Sequence, residues 1–132
     1  MFSTQSLMKK RVLFVCVHNS ARSQMAEALL RALKGDNYEA YSAGIEPTEV
    51  DPNAVSAMAE IGIDISEQRS KGLDSMRDIH FDTIVTLCDA ADSCPYIPGV
   101  HMHRAFPDPA GGGINAFRRV RDDIKRWIED TF

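Results

Sequence analysis

A chain of 132 residues, 44% hydrophobic and 26% charged, is long enough for one domain with a real core and carries no sign of disorder. Its formal net charge of −4 gives no electrostatic reason to expect nucleic acid or an anionic membrane surface as a partner. No apolar run reaches the roughly 20 residues of a membrane helix, and "MFSTQSLMKK" lacks the apolar stretch of a signal peptide. Residues 1–10 are therefore expected to be a flexible tail, residues 11–132 a single domain, and the cytoplasm the default compartment.

"RVLFVCV" (11–17) is a continuous apolar run, as expected of a strand buried on both faces. "SARSQMAEALLRALKG" follows with Met25, Leu29 and Leu33 at four-residue spacing and Gly35 as a stop, which predicts a helix. "YEAYSAG" (38–44) reads as a short strand. In "DPNAVSAMAEIGI", Asp51 is placed as an N-cap, Pro52 at the first helical position and Gly62 as the breaker. "FDTIVTLC" (81–88) repeats the buried-strand pattern, and "VHMHRAF" (100–106) suggests a fourth short strand. In the last segment Phe117, Val120, Ile124, Trp127 and Ile128 share one helical stripe with charges opposite. This alternation predicts an α/β domain, a parallel sheet with helices on both faces. Ligands of such sheets bind beyond the carboxyl ends of the strands, where Cys16 and Cys88 both fall.

The chain has three cysteines, Cys16, Cys88 and Cys94, an odd number that argues against a static disulfide framework. Any one of them taken alone reads equally well as a small buried hydrophobe. Placement separates Cys16 from that reading. If β-structure ends there and a helix begins near Ala21 or Arg22, the intervening loop brings backbone N–H groups together beside the helix's positive end. That is a cradle for a tetrahedral oxyanion, and the same field favours a thiolate. Arg22 offers a planar fork to two oxygens of the anion, while Asn19, Ser20 and Ser23 can hydrogen-bond the loop, the thiolate or the ligand. The loop is not of the nucleotide-binding type, because no G-x4-GK is present.

"VCVHNSARSQMAEAL" resembles the phosphate-binding signature of the low-molecular-weight protein tyrosine phosphatases, and more closely that of their thioredoxin-coupled arsenate reductase relatives. "YSAG" (41–44), "VTLCDAADSCP" (85–95) and "FPDPA" (106–110) are similar to further blocks of those reductases, in matching order. The resemblance spans nearly the whole chain. It implies a three-layer α-β-α sandwich with a four-stranded parallel sheet, the low-molecular-weight phosphatase fold. It also implies Cys16 as nucleophile, residues Val17, His18, Asn19, Ser20, Ala21, Arg22 and Ser23 around the anion, and Asp108 as general acid. Without the resemblance, an aspartate ahead of Pro109 is most simply a turn residue.

Two activities share that centre. A phosphatase hydrolyses its cysteinyl-phosphate with water and needs no second thiol. Arsenic(V) accepts two electrons, so a second thiolate attacking Cys16 of a cysteinyl-arsenate releases arsenite, and a third then frees Cys16 by thiol exchange. Cys88 and Cys94 are available for these steps. By resemblance, Cys88 attacks Cys16, Cys94 attacks Cys88, and thioredoxin reduces the resulting 88–94 disulfide. Five residues separate Cys88 from Cys94, where relatives often have six. Ala110 and "GGG" (111–113) replace the tyrosine that follows the proline in the phosphatases, which suits a small inorganic anion. The expectation is a cytosolic, monomeric arsenate reductase without a bound cofactor, its partners an arsenate or phosphate oxyanion and thioredoxin. The alternative is a phosphatase acting on phosphomonoesters through Cys16.

Some family members bind a potassium ion near the loop, and Asn19, Glu27 and Ser42 stand at matching positions. Lys71, where an acidic ligand would be expected, argues against the ion. Cys88, Cys94, His101 and His103 supply four donors for zinc, but the C-x5-C spacing is wider than usual and edge-strand histidines are the simpler reading. A non-catalytic sensor binding arsenite through the three thiols is a further class. "FRRVRDDIKR" interleaves its charges and reads as a solvated helix face rather than a DNA-binding element.

Overall fold

A computed structural model describes residues 9–89 and 99–132; residues 1–8 of the expected tail, and the 90–98 segment with Cys94, lie outside the described residues. The elements are β1 (Lys10–Cys16), α1 (Arg22–Lys34), β2 (Tyr38–Gly44), α2 (Pro52–Ala59), a 3₁₀ turn (Leu73–Met76), β3 (Thr83–Thr86), β4 (Met102–His103) and α3 (Gly113–Thr131). The four strands form one parallel sheet in the order β2-β1-β3-β4.

β1 is central, which explains its unbroken apolar run: alternate side chains serve opposite faces. Val12, Phe14 and Cys16 enter the large cluster with Met25, Leu29 and Leu30 of α1, Ala54 and Met58 of α2, and Phe117, Val120, Ile124 and Ile128 of α3. Leu13 and Val15 face the other way, against Ala43, Met76 and Phe81. Among the described residues one face thus carries three α-helices and the other the 3₁₀ turn and its flanks. Aromatic edges lock the larger face, with Phe14 6.0 Å from Trp127 and 6.1 Å from Phe132 between ring centroids.

Local signals acted largely as expected. Asp51 caps α2, its Oδ1 accepting from Asn53 N at 2.8 Å. Gly62 takes φ +79° three residues beyond the end of α2. Three details differ. Lys10 already pairs with Tyr38, so β1 begins one residue earlier. β3 and β4 are shorter than their apolar runs, because an edge strand of two residues offers little to pair with. Leu33, third in the α1 stripe, is exposed, since that last turn extends beyond the packed face. No helix among the described residues is long and apolar enough to cross a membrane.

Candidate active site

β1 ends at Cys16 and α1 begins at Arg22, so residues 17–21 form the loop at the carboxyl edge of the sheet. A neighbouring stretch engages its outer side. The carbonyls of Cys16, Val17, His18 and Ser20 accept from the N–H groups of Ile45, Glu46, Thr48 and Asp51 at 2.8–3.3 Å. A trans peptide carries its C=O and N–H on opposite sides, so turning these carbonyls outward turns the following N–H groups inward. Asn19 allows the bend by adopting φ +51°, a left-handed conformation that asparagine tolerates better than most residues. Gly44, at the end of β2, lets that strand touch the loop: a Cβ there would lie 2.7 Å from Asn19 N and 2.8 Å from the His18 carbonyl carbon.

Inside the loop is a cavity of about 60 Å³ lined by Cys16, His18, Ser20, Ala21, Arg22, Thr48, Asp108 and Ala110. At roughly 10–15 Å³ of such volume per water, it fits an anion of four oxygens. No Phe, Tyr or Trp lines it among the described residues. Of residues 110–113 only Ala110 reaches it; Gly113 instead opens α3.

Cys16 is a free thiol, buried, with Sγ 2.8 Å from Ser23 Oγ. Ser23 Oγ also receives Asn19 Nδ2 at 2.8 Å. Arg22 is 3% exposed and its Nη1 donates to Phe106 O at 3.0 Å, which pins the guanidinium at the cavity wall. Phe106 is itself fixed by burial, its ring edge-on to Trp127. Asp108 lies at the edge of the cavity. Its Oδ1 accepts from Ala110 N at 3.0 Å, as a turn aspartate does, while Oδ2 stands 3.8 Å from Arg22 Nη2. The turn bond thereby leaves the second oxygen facing Arg22 across the cavity. His18 donates from Nδ1 to Glu46 O at 3.0 Å, and Ser20, Ala21 and the Val17 backbone complete the loop.

Cys88 is buried just beyond β3 and is disulfide-bonded. Leu87 N donates to Val15 O at 2.8 Å, so the β1–β3 register continues to the strand ends and sets Cys88 one strand across from the start of the loop. Cys94 lies outside the described residues.

Lys71 stands where the sequence suggested. Its Nζ is 3.6 Å from Glu27 Oε1, 3.5 Å from Ser42 Oγ and 2.8 Å from Arg69 O. Arg31 Nη2 takes Glu27 Oε2 at 2.7 Å, Ser42 Oγ donates to Oε1 at 2.6 Å, and Asn19 Oδ1 accepts from Lys71 N at 2.7 Å. An ammonium already answers the carboxylate and each oxygen has a donor, so these residues do not fit a potassium ion. His101 Nδ1 accepts from Ile84 N at 3.1 Å and His103 Nδ1 is 2.6 Å from Thr86 Oγ1, so each histidine has a ring nitrogen committed to β3.

Apart from Lys71, residues 68–72 were not singled out by sequence, yet they buttress the loop. Ser70 Oγ donates to His18 O at 2.9 Å, and Arg69 O accepts from Gln24 Nε2 at 2.7 Å. Their polar, irregular sequence carries no periodic signal.

A family model for the low molecular weight phosphotyrosine protein phosphatases matches residues 11–132. Arsenate reductase 1 of Staphylococcus epidermidis is 46% identical over 126 residues, covering 93% of this chain and 96% of that protein. A solved arsenate reductase in the phosphate binding state superposes with a TM-score of 0.81 at 33% identity, over 92% of this chain and 95% of that one. A thioredoxin-dependent arsenate reductase from Corynebacterium glutamicum gives a TM-score of 0.69 at 33% identity, covering 92% of this chain and 59% of that longer one. With its strand-to-helix loop between Cys16 and Arg22, its parallel sheet and a match running from Arg11 to the last residue, this chain belongs to the low molecular weight phosphotyrosine protein phosphatase family.

Proposed function

We propose that this chain is an arsenate reductase that passes electrons through three cysteines and is regenerated by thioredoxin. The observation that carries the reading is placement: Cys16 lines the anion-sized cavity at the end of β1, and a second buried cysteine, Cys88, sits at the adjoining strand end, where hydrolysis needs no second sulfur. The small cavity and the arsenate reductase relatives support the same choice.

In the first step the Cys16 thiolate attacks arsenic, an As–S bond forms, and a hydroxyl leaves as water with a proton from Asp108. Arg22 and the inward N–H groups hold the remaining oxygens. Cys88 then attacks Cys16 Sγ. The As–S electron pair returns to arsenic, which leaves as arsenite, and a Cys16–Cys88 disulfide forms. Cys94 attacks Cys88 and releases the Cys16 thiolate. A dithiol of the thioredoxin class reduces the Cys88–Cys94 disulfide. The sum is arsenate plus two thiols giving arsenite, water and one disulfide.

The test follows NADPH oxidation with arsenate, thioredoxin and thioredoxin reductase, for wild type, Cys16→Ser, Cys88→Ser and Cys94→Ser, with aryl-phosphate hydrolysis measured in parallel. Turnover of arsenate lost in all three variants is the expected result. Wild type that ignores arsenate yet hydrolyses the ester through Cys16 alone would make this a phosphatase.

A further inference from the structure

We infer that Gln24 and Gln68, neither of which lines the anion cavity, are positioning residues that set the direction of the hydrogen bond reaching Cys16. The inference rests on the reading of Cys16 as nucleophile and adds residues to it.

The direction follows from backbone partners, which can only donate or only accept. Asn19 Oδ1 meets Lys71 N–H at 2.7 Å, so that side-chain atom is the oxygen and Nδ2 faces Ser23 Oγ. Gln24 Nε2 meets two carbonyls, Arg69 O at 2.7 Å and Asn19 O at 3.1 Å, so that atom is the nitrogen. With two N–H groups for three acceptors, it shares one of them with Asn19 Oδ1 at 2.9 Å. Gln24 Oε1 is left to accept from Gln68 Nε2 at 2.7 Å, and that nitrogen is identified in turn by Gln24 O at 3.3 Å. Every amide therefore points the same way, from Gln68 through Gln24 and Asn19 to Ser23.

Ser23 is fully buried and takes the Asn19 N–H on a lone pair. Its own proton then has Cys16 Sγ, at 2.8 Å, as its partner. The reverse direction, a thiol donating to Ser23, would leave the buried hydroxyl proton unpaired, which is unfavourable. The relay thus presents a donor to the sulfur, an interaction a charged acceptor makes more strongly than a neutral one. Gln24 grips Asn19 at both its carbonyl and its side chain, at the one non-glycine residue among those described with positive φ, so it holds the link most prone to rotate.

The competing account is that Gln24 merely packs the loop. The two are separated in the full chain carrying Cys88→Ser and Cys94→Ser, where Cys16 is the sole thiol. Iodoacetamide alkylation and 240 nm thiolate absorbance at pH 7 are compared for that background, Gln24→Met, Gln24→Glu and Gln68→Leu, with thermal melting alongside. Loss of a networked donor predicts alkylation slowed roughly three- to tenfold in Gln24→Met, with thiolate absorbance falling in step. Gln24→Glu, whose carboxylate faces two carbonyls, should be slowed at least as much, and Gln68→Leu less but with the same sign. If Gln24→Met does not fold, the half-buried Gln68→Leu carries the test. A reactive Cys16 indifferent to both glutamines, with only the melting temperature lowered, overturns the inference alone. A background Cys16 no faster than glutathione overturns the proposed function as well.

Discussion

Gly44→Ala isolates the contact that shapes the anion loop. Gly44 ends β2 directly against the loop, and an added Cβ would sit 2.7 Å from Asn19 N, 2.8 Å from the His18 carbonyl carbon and 2.9 Å from Val17 O. All three are backbone atoms, so no side chain can swing aside. Restoring ordinary contact at 3.4 Å requires the loop or the strand to retreat by about 0.7 Å. The loop N–H groups to which the proposed function assigns the oxyanion are on the residues that would move. A misplacement of about 1 Å can cost on the order of 10²-fold in rate, so kcat/KM for arsenate should fall about 10- to 10²-fold. Overpacking of this kind costs about 1–3 kcal/mol in stability, or roughly 3–5 °C in Tm for each kcal/mol at this chain length. Phosphate binding by calorimetry, steady-state kinetics and a thermal melt read the three effects together. Gly72→Ala is the control: Gly72 forms the bridge opposite Gly44, but its Cβ would meet only the Pro47 side chain, Cγ at 3.4 Å and Cδ at 3.8 Å. A Gly44→Ala protein that binds phosphate and turns over arsenate like wild type would refute the claim that this close approach sets the loop.

Three further outcomes are expected. Asp108→Asn should lower kcat about 10²- to 10⁴-fold for a step needing a general acid while phosphate still binds; unchanged kcat would return Asp108 to a turn residue. Hydrogen bonds from Arg118, and then Arg121, hold the Glu60 carboxyl down to about 2 from 4.5. The unfolded chain therefore takes up this proton first on acidification, so the stability from the α2–α3 clamp is complete above about 4.5 and is lost as pH falls toward 2. Acid titration of Glu60→Gln by circular dichroism should show a shallower loss across that window than wild type, and coincident curves would count against the clamp. Phe14→Ala removes a fully buried ring that touches Trp127 and Phe132 and should cost about 3–5 kcal/mol; a urea midpoint close to wild type would show that the α3 face packs without it.

Local sequence determined much of this protein. The apolar run of 11–17, the four-residue spacing in α1, the Asp51–Pro52 start of α2 and the α3 stripe each encode their element within one stretch of chain, because periodicity and capping are short-range effects. The strand-to-helix step from Cys16 to Arg22 was legible for the same reason. What only the tertiary structure decided is how the loop is held. Its carbonyls are engaged by residues 45–51, its polar side chains by residues 68–72, and its floor by Gly44, joining segments separated by up to 52 residues. Such contacts leave no periodic trace, because each is a single hydrogen bond or a single close approach rather than a repeating face. The site residues Cys16 and Arg22 were therefore visible from the chain alone, whereas Gln24, Gln68, Ser70 and the carbonyl of Phe106 became visible only once the fold had brought them together.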